Sequence, residues 1–159
     1  MIRKKILLLG DFNVGKTSLI RRYIDKTFSE KYLTTIGVKI SKKEIELNHE
    51  IYEMLIWDIE GATPQKSIPQ SYYNGASGAI FVADISRSDT IEGLDAHIQT
   101  FNYLNPDKPY VIAYNKIDLL NEEQQKELPN RHNAFFTSAK TDTQVEELFT
   151  HLAQEIFND

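Results

Sequence analysis

The chain has 159 residues, of which 41% are hydrophobic and 26% charged, and its formal net charge is -5 at pH 7. This composition is ordinary for a soluble globular protein, and the length predicts one domain over residues 1–159. The longest basic run is Arg3-Lys4-Lys5, so we do not expect a nucleic-acid-binding surface. Cysteine is absent, which excludes disulfides and cysteine-based metal sites. The apolar run Ile6–Leu9 is too short for a signal peptide or a membrane span, and we therefore expect a cytoplasmic protein.

In chain order, the first predicted element is a strand at Ile6–Leu9, an apolar run without polar alternation. A helix follows, with an apolar stripe formed by Leu19, Ile20, Tyr23 and Ile24. Val38–Leu47 and Ile51–Trp57 flank the polar link Asn48-His49-Glu50, a pattern that predicts an antiparallel hairpin at one edge of the sheet.

The second half of the chain alternates strands and helices. Ala79–Ala83 and Tyr110–Tyr114 are continuous apolar runs typical of strands covered on both faces, and Asn133–Thr137 predicts a last strand. One helix is predicted from the stripe Ile91, Leu94, Ile98 and Phe101. A short helix begins at Asn121 with Glu122 and Glu123, and ends before Pro129. The terminal helix carries the stripe Val145, Leu148, Phe149, Leu152 and Ile156, with Thr143 and Glu146 as a capping box.

This order of elements predicts an α/β protein of three layers. A mixed, mostly parallel six-stranded sheet would be flanked by helices on both faces. In such sheets a ligand binds at the carboxyl ends of the strands, where the loops meet. The motifs of the chain should therefore be sought directly after the predicted strands.

The first motif follows the first strand. Gly10-Asp11-Phe12-Asn13-Val14-Gly15-Lys16-Thr17 fits the pattern G-x-x-x-x-G-K-[ST] and opens a helix, as a phosphate-binding loop requires. Backbone N–H groups and the helix N-terminus would hold the phosphates, Lys16 would span the terminal phosphates, and the Thr17 hydroxyl would take one Mg²⁺ position. The predicted phosphate-binding residues of this loop are Asn13, Val14, Gly15, Lys16, Thr17 and Ser18. Nucleotide kinases and ATPases share the loop, so by itself it indicates only a nucleoside triphosphate.

Two further motifs indicate which base is bound. Asn115-Lys116-Ile117-Asp118 follows the third apolar strand, and a buried carboxylate at Asp118 can accept from the ring N–H and the exocyclic amine of guanine. Adenine does not present these two donors together. After the last strand, Ser138-Ala139-Lys140 offers a backbone N–H for the guanine carbonyl oxygen. The aliphatic stems of Lys116 and Lys140 can cover the base plane. The predicted guanine-binding residues of these two motifs are Asn115, Lys116, Asp118, Ser138, Ala139 and Lys140.

With these motifs in this order, the sequence resembles the small GTPases of the Ras superfamily, and the Rab branch most, over nearly the whole chain. Thr35-Ile36-Gly37-Val38 is similar to the first switch of that family, and Asp58 with Gly61 matches the D-x-x-G of the second. Phe28 stands where the family packs an aromatic side chain against guanine, and residues 71–76 resemble the Rab pattern. The resemblance implies the P-loop NTPase (small G-protein) fold, GTP and GDP with Mg²⁺ as cofactors, and switching between two states.

The resemblance also assigns roles in the switches. Thr35 would be the second protein ligand of Mg²⁺, and its N–H would contact the γ-phosphate. Gly61 would offer another N–H to that phosphate, and Asp58 would hold Mg²⁺ through a water molecule. Lys16, Thr35 and Gly61 are then the residues expected to carry catalysis. An ordinary β-branched entry into a strand is the alternative for Thr34 and Thr35.

Three residues match the surface that Rab-like proteins present to effectors, namely Ile40, Trp57 and Tyr73. For Trp57, packing in the core between the hairpin and a helix is the alternative. The expected partners are effector and regulatory proteins at the switches, bound by a monomer. The chain has no cysteine, and residue 2 is isoleucine and not the glycine that myristoylation needs, so we expect no direct lipid anchor. Recruitment to a membrane by a partner is left open.

The chain departs from the family where hydrolysis is concerned. Ala62 stands where the family has the glutamine that orients water, Glu60 brings a carboxylate toward the phosphates, and Phe12 replaces a small residue. We therefore expect weak or partner-dependent GTP hydrolysis, unless Gln65, Glu60 or a partner side chain replaces the missing amide. A pseudo-GTPase scaffold that holds GTP without hydrolysing it is the alternative. A P-loop kinase would leave Asp118 and Thr35 without a purpose.

Overall fold

The computed structural model describes residues 1–11, 13–25, 38–59, 68–129 and 131–157. The strands are β1 (Ile2–Gly10), β2 (Val38–Leu47), β3 (Glu50–Ile59), β4 (Ala76–Asp84), β5 (Tyr110–Asn115) and β6 (Ala134–Phe136). The α-helices are α1 (Lys16–Asp25), α2 (Ser88–Glu92), α3 (Leu94–Leu104), α4 (Glu122–Gln125) and α5 (Val145–Phe157). Two short 3₁₀ helices lie at Gln70–Tyr72 and Ile117–Leu119. No helix within these ranges has both the length and the apolar composition that crossing a bilayer requires.

The six described strands form one sheet in the order β2-β3-β1-β4-β5-β6. β1 pairs in parallel with both β3 and β4, and the ladders β4–β5 and β5–β6 are also parallel. The β2–β3 pair is antiparallel. The predicted mixed, mostly parallel α/β sheet is therefore confirmed. Because β1, β4, β5 and β6 run in the same direction, the loops that follow them meet at one edge of the sheet.

The hairpin turn is shorter than the sequence pattern suggested. Asn48 and His49 alone connect the strands, and Leu47 faces Glu50 in the ladder. Both turn residues have positive φ, 53° and 68°, as a two-residue type I′ turn requires. Glu50 was expected in the link but is the first residue of β3, because this turn matches the twist of the two strands with only two residues.

Both faces of the sheet are buried under helices, which explains the unbroken apolar runs. Along β1, Ile6 and Leu8 pack in the cluster beneath α1 and α5, whereas Leu7 and Leu9 pack in the cluster beneath α2 and α3. All four side chains are 0% exposed. The ring of Tyr23 from α1 stacks on Phe149 from α5 with centroids 4.0 Å apart. This contact joins the first helix to the last.

Two helix boundaries differ from the sequence expectation. The stripe from Ile91 to Phe101 is divided between α2 and α3, which meet at Gly93. α5 begins one residue later than the Thr143 cap implied, since its first helical bond runs from Leu148 N–H to the Gln144 carbonyl. The backbone of Thr143 instead pairs with Ser138 in an isolated bridge.

The short helix α4 is confirmed, and its start has a clear local cause. The Asn121 side chain accepts from Gln124 N–H, and the Gln124 side chain accepts from Asn121 N–H. This reciprocal capping box satisfies two N–H groups at the start of the helix.

Candidate functional site

The loop between β1 and α1 has the backbone of a phosphate cradle. Gly15 has φ 99° and Asn13 has φ 67°, so the chain turns through the left-handed region twice before the helix begins. A Cβ on Gly15 would lie 2.3 Å from Asn115 Nδ2, and one on Gly10 would lie 2.5 Å from the Val82 carbonyl oxygen. Both glycines are therefore needed for close approach, and Gly15 for its conformation as well.

Lys16 lies back across this loop. Its side chain is 7% exposed, and its Nζ is 3.4 Å from the Gly10 carbonyl oxygen and 3.5 Å from that of Asp11. Backbone carbonyls on one side of the ammonium hold it over the cradle, where an anion would meet it. The predicted contact of Lys16 with the terminal phosphates stays a prediction.

The structure brings together two of the predicted Mg²⁺ residues from distant parts of the chain. Thr17 Oγ1, on the first turn of α1, donates to Asp58 Oδ2 on β3 at 2.9 Å. Asp58 is 6% exposed. A hydroxyl that donates to a carboxylate keeps its own lone pairs for a cation, and Mg²⁺ prefers oxygen ligands completed by water and phosphate. The described residues contain no group of three His, Cys, Asp or Glu able to form an all-protein metal site.

Asn115 joins the phosphate loop to the base motifs. Its Nδ2 donates to the Val14 carbonyl at 3.0 Å, and its Oδ1 accepts from Thr137 Oγ1 at 3.2 Å. The residue is 2% exposed. One buried amide therefore connects the loops after β1, β5 and β6. The predicted contact of Asn115 with guanine stays a prediction.

The predicted guanine acceptor is oriented by another motif residue. Ser138 Oγ donates to Asp118 Oδ1 at 2.7 Å and accepts from Thr141 N–H at 3.1 Å. The sequence interpretation expected a buried carboxylate, but Asp118 is exposed in the structure. The exposed position leaves the carboxylate accessible to two donors from a ligand, while the bond from Ser138 fixes its orientation.

Asp84 is a site residue that the sequence interpretation missed. It ends β4, its side chain is 1% exposed, and its Oδ2 accepts from Lys116 Nζ at 2.7 Å. Its Oδ1 accepts from the backbone N–H and the hydroxyl of Ser86 at 2.9 and 2.6 Å. Burial alone would raise the pKa of Asp84, but the bonds from Lys116 and Ser86 outweigh it and hold the pKa below its ordinary value of 3.8. The sequence did carry a signal for Asp84, because a charged residue stands directly after the apolar run Ala79–Ala83.

Two arginines that no motif identifies also contact the site loops. Arg22 of α1 donates to the carbonyls of Ala139 and Lys140 at 2.7 and 3.1 Å. Arg87 Nη1 lies 3.4 Å from the Asn13 carbonyl oxygen. Nothing in the local sequence around either arginine predicts these contacts.

The three predicted effector residues do not form one exposed face. Ile40 is 49% exposed and faces Trp57 across the β2–β3 ladder. Trp57 is half-buried, with Lys5 Nζ 3.8 Å from its ring centroid, and its Nε1 has no hydrogen-bond partner among the described residues. Tyr73 is 3% exposed and packs in the core, whereas Tyr72 approaches the Trp57 ring with centroids 6.5 Å apart. Effector docking at these residues stays a prediction.

Several predicted residues lie outside the described residues. These are Phe12, Phe28, Thr35, Glu60, Gly61, Ala62 and Gln65. Their predicted roles at the base, the γ-phosphate and the second Mg²⁺ position therefore rest on the sequence.

A mostly parallel sheet with a glycine-rich strand-to-helix loop at its carboxyl edge is typical of the P-loop class of nucleotide-binding proteins. A sequence model of the Ras family matches residues 5–158, nearly the whole chain, and the protein belongs to that family. It is therefore a small GTPase and a GTP-binding switch, and proteins of this family generally bind guanine nucleotide with Mg²⁺ and interact with effector and regulatory proteins.

Proposed function

We propose that this protein is a Rab-like switch with slow intrinsic GTP hydrolysis. The observation that carries the nucleotide-binding part of this proposal is the Asn115 amide, which bonds to the Val14 carbonyl of the phosphate loop and to Thr137 beside the base motif. Because one buried side chain connects the two loops, triphosphate binding and base recognition belong to one site. The Rab-like assignment is supported by residues 71–76, Ile40 and Trp57.

The Mg²⁺ ion would be held by Thr17 and Thr35, with Asp58 acting through a water molecule. When bound, the ion neutralises charge on the phosphate oxygens. The Thr17–Asp58 hydrogen bond supports this assignment, because it places a hydroxyl and a carboxylate side by side at the start of α1. Lys16 would contact the terminal phosphates, and the N–H groups of Asn13, Val14, Gly15, Thr35 and Gly61 would add to the cradle.

Guanine would be read by Asp118 and by the loop after β6. The carboxylate accepts the two donors of the base, and the Ala139 N–H meets its carbonyl oxygen. Lys116 and Lys140 cover the base plane with their aliphatic stems, and Phe28 packs at its edge. The contact between Lys116 Nζ and Asp84 supports this part, because it fixes the end of the lysine side chain next to the base motif.

Slow hydrolysis follows from three residues of the sequence. Ala62 carries a methyl group that can neither donate to nor accept from an attacking water. Phe12 would crowd an incoming arginine finger, a group worth about 10³ to 10⁵ in rate where it is used. Glu60 would add negative charge beside the phosphates. Hydrolysis would then depend on Gln65, Glu60 or a partner for the missing amide.

Single-turnover GTP hydrolysis with Mg²⁺ tests this proposal. We expect slow turnover in the unchanged protein and a rise of about tenfold or more in Ala62→Gln, because the amide restores a group that orients water. Fast turnover in the unchanged protein would contradict the slow-hydrolysis proposal. In that case Glu60→Ala and Gln65→Ala, compared on the same preparation, identify the residue that replaces the amide.

The second candidate function is a pseudo-GTPase scaffold, which Phe12, Glu60 and Ala62 together favour. Nucleotide extracted from the purified protein separates the two functions, because GTP that survives days of purification favours the scaffold and GDP favours the slow GTPase. One domain over the whole chain, a monomeric state and a cytoplasmic location stay predictions.

A further inference from the structure

Arg22 holds the loop that follows β6. Its Nε donates to the Ala139 carbonyl at 2.7 Å, and its Nη2 donates to the Lys140 carbonyl at 3.1 Å. The donors belong to one guanidinium and the acceptors to consecutive residues, more than a hundred positions away in the chain. Hydrogen bonds from a charged donor are stronger than neutral ones, and the planar guanidinium fixes the direction of both.

The backbone on the other side of Ala139 is fixed as well. The N–H of Ser138 donates to the Thr143 carbonyl at 3.1 Å, and the Ser138 carbonyl accepts from Thr143 N–H at 2.9 Å. In a trans peptide the carbonyl and the following N–H point in opposite directions, so the Ala139 N–H points away from Thr143. No hydrogen bond between described residues uses that N–H, although Ala139 is only 3% exposed.

Arg22 also connects this loop to the phosphate cradle. α1 begins at Lys16, and Arg22 lies about 9 Å along the same helix, at 1.5 Å for each residue. The first turn of α1 therefore carries Lys16 and Thr17, next to the phosphate loop. The second turn carries Arg22, which bonds to the loop after β6. The β6–α5 loop cannot move away from α1 without breaking both arginine bonds.

We propose that Arg22 is a positioning residue for guanine recognition. It aligns the Ala139 N–H with the carbonyl oxygen of the base and thereby slows release of the nucleotide. This inference rests on the proposed contact between Ala139 and guanine. Arg22 acts through the backbone of the loop. Removing the Arg22 side chain should therefore weaken the contact with the guanine carbonyl oxygen more than the contacts with the phosphates.

The test compares the dissociation of GDP with that of 6-thio-GDP, in which sulfur, a weak acceptor, replaces the carbonyl oxygen. The variants are Arg22→Met and Arg22→Lys. Arg21→Met is the matched control. It removes an arginine side chain from the same helix, at a position about 100° away around the helix axis. Thermal unfolding confirms that each variant is folded.

We expect Arg22→Met to release GDP about tenfold faster and to release 6-thio-GDP with a much smaller change, so that the preference for GDP shrinks. Arg22→Lys should be intermediate, because one ammonium can reach one carbonyl. The Ala139 amide proton should move downfield on GDP binding in the unchanged protein and less in Arg22→Met. Arg21→Met should match the unchanged protein in all three measurements.

Two different failures can be distinguished. If the unchanged protein does not prefer GDP over 6-thio-GDP, the contact of Ala139 with guanine is wrong and the inference fails with it. If the preference exists but survives unchanged in Arg22→Met, only the role of Arg22 is overturned. If Arg22→Met does not fold, Arg22→Lys decides, and release of GDP at the unchanged rate overturns the inference.

Discussion

At the scale of single residues, Asp84 shows how a buried charge organises the site. Its carboxylate accepts from Lys116 and twice from Ser86, and its side chain is 1% exposed. Lys116 itself has φ 68°, a left-handed conformation that costs a non-glycine residue about 1–2 kcal/mol. The ion pair to Asp84 helps to offset that cost and fixes where the lysine stem lies. Asp84 therefore supports a residue of the predicted base site without having to touch the base.

Replacement of this carboxylate gives a prediction that depends on pH. Asp84→Asn should lower the free energy of unfolding by about 2 kcal/mol at pH 7, because Lys116 loses its charged partner. The pKa of Asp84 is lowered in the folded state, so its stabilisation is fully present above pH 3.8 and is lost as pH falls through the folded-state pKa. The difference between the two proteins should therefore shrink below pH 3.8, as denaturant unfolding at several pH values would show.

The exposed carboxylate of Asp89 provides the control. It lies 3.8 Å from Arg87 and is 73% exposed, so Asp89→Asn should change stability by less than about 0.5 kcal/mol. A loss in Asp84→Asn no larger than in this control would contradict the role assigned to the buried ion pair.

At the scale of elements, the β2–β3 hairpin shows where local conformation is strained. The two turn residues, Asn48 and His49, both have positive φ. Asn tolerates this region, but His keeps a Cβ that crowds the backbone there. The turn is nevertheless type I′, because the twist of this turn matches that of the two long strands, whereas a type I or II turn would splay them. Pairing along the strands therefore outweighs the preference of the turn residue.

This strain predicts a stabilising substitution. His49→Gly should raise the free energy of unfolding by about 0.5–1 kcal/mol, because glycine reaches φ 68° without a steric cost. His49→Ala is the control, since it removes the imidazole and keeps the Cβ, and it should not stabilise the protein. Denaturant midpoints measure both changes. Equal effects of the two variants would show that the imidazole, and not the backbone, determines stability here.

At the scale of the whole molecule, the parallel strands collect the site at one edge. Gly10, Asp84 and Asn115 end β1, β4 and β5, and Ser138 follows β6 by two residues. Asn115 connects these loops through Val14 and Thr137. The predicted phosphate loop and the predicted base motifs are therefore joined by hydrogen bonds, although each motif is short and local.

This connection between the loops predicts that Asn115→Ala changes nucleotide release in a different way from Arg22→Met. Asn115→Ala removes two buried hydrogen bonds and should speed release of GDP and of 6-thio-GDP alike, by about 100-fold, because it loosens both loops. Asn105→Ala is the matched control, since Asn105 is also buried and donates to the Tyr73 carbonyl at 3.0 Å, away from these loops. The control should lower stability without changing release. Faster release of GDP alone in Asn115→Ala would contradict the coupling.

The sequence by itself determined the order of strands and helices, the phosphate loop Gly10–Thr17 and the base motif after Tyr114. These features depend on apolar periodicity and on glycine and turn residues, which act over a few neighbouring positions. Only the tertiary structure decided that Asp84 pairs with Lys116, that Arg22 clamps the Ala139 carbonyl, and that Tyr73 is buried. For a polar side chain on a helix or at a strand end, no pattern in the neighbouring sequence predicts which residue it will bond to. The partner is brought near by sheet order and helix packing, which depend on contacts between distant parts of the chain.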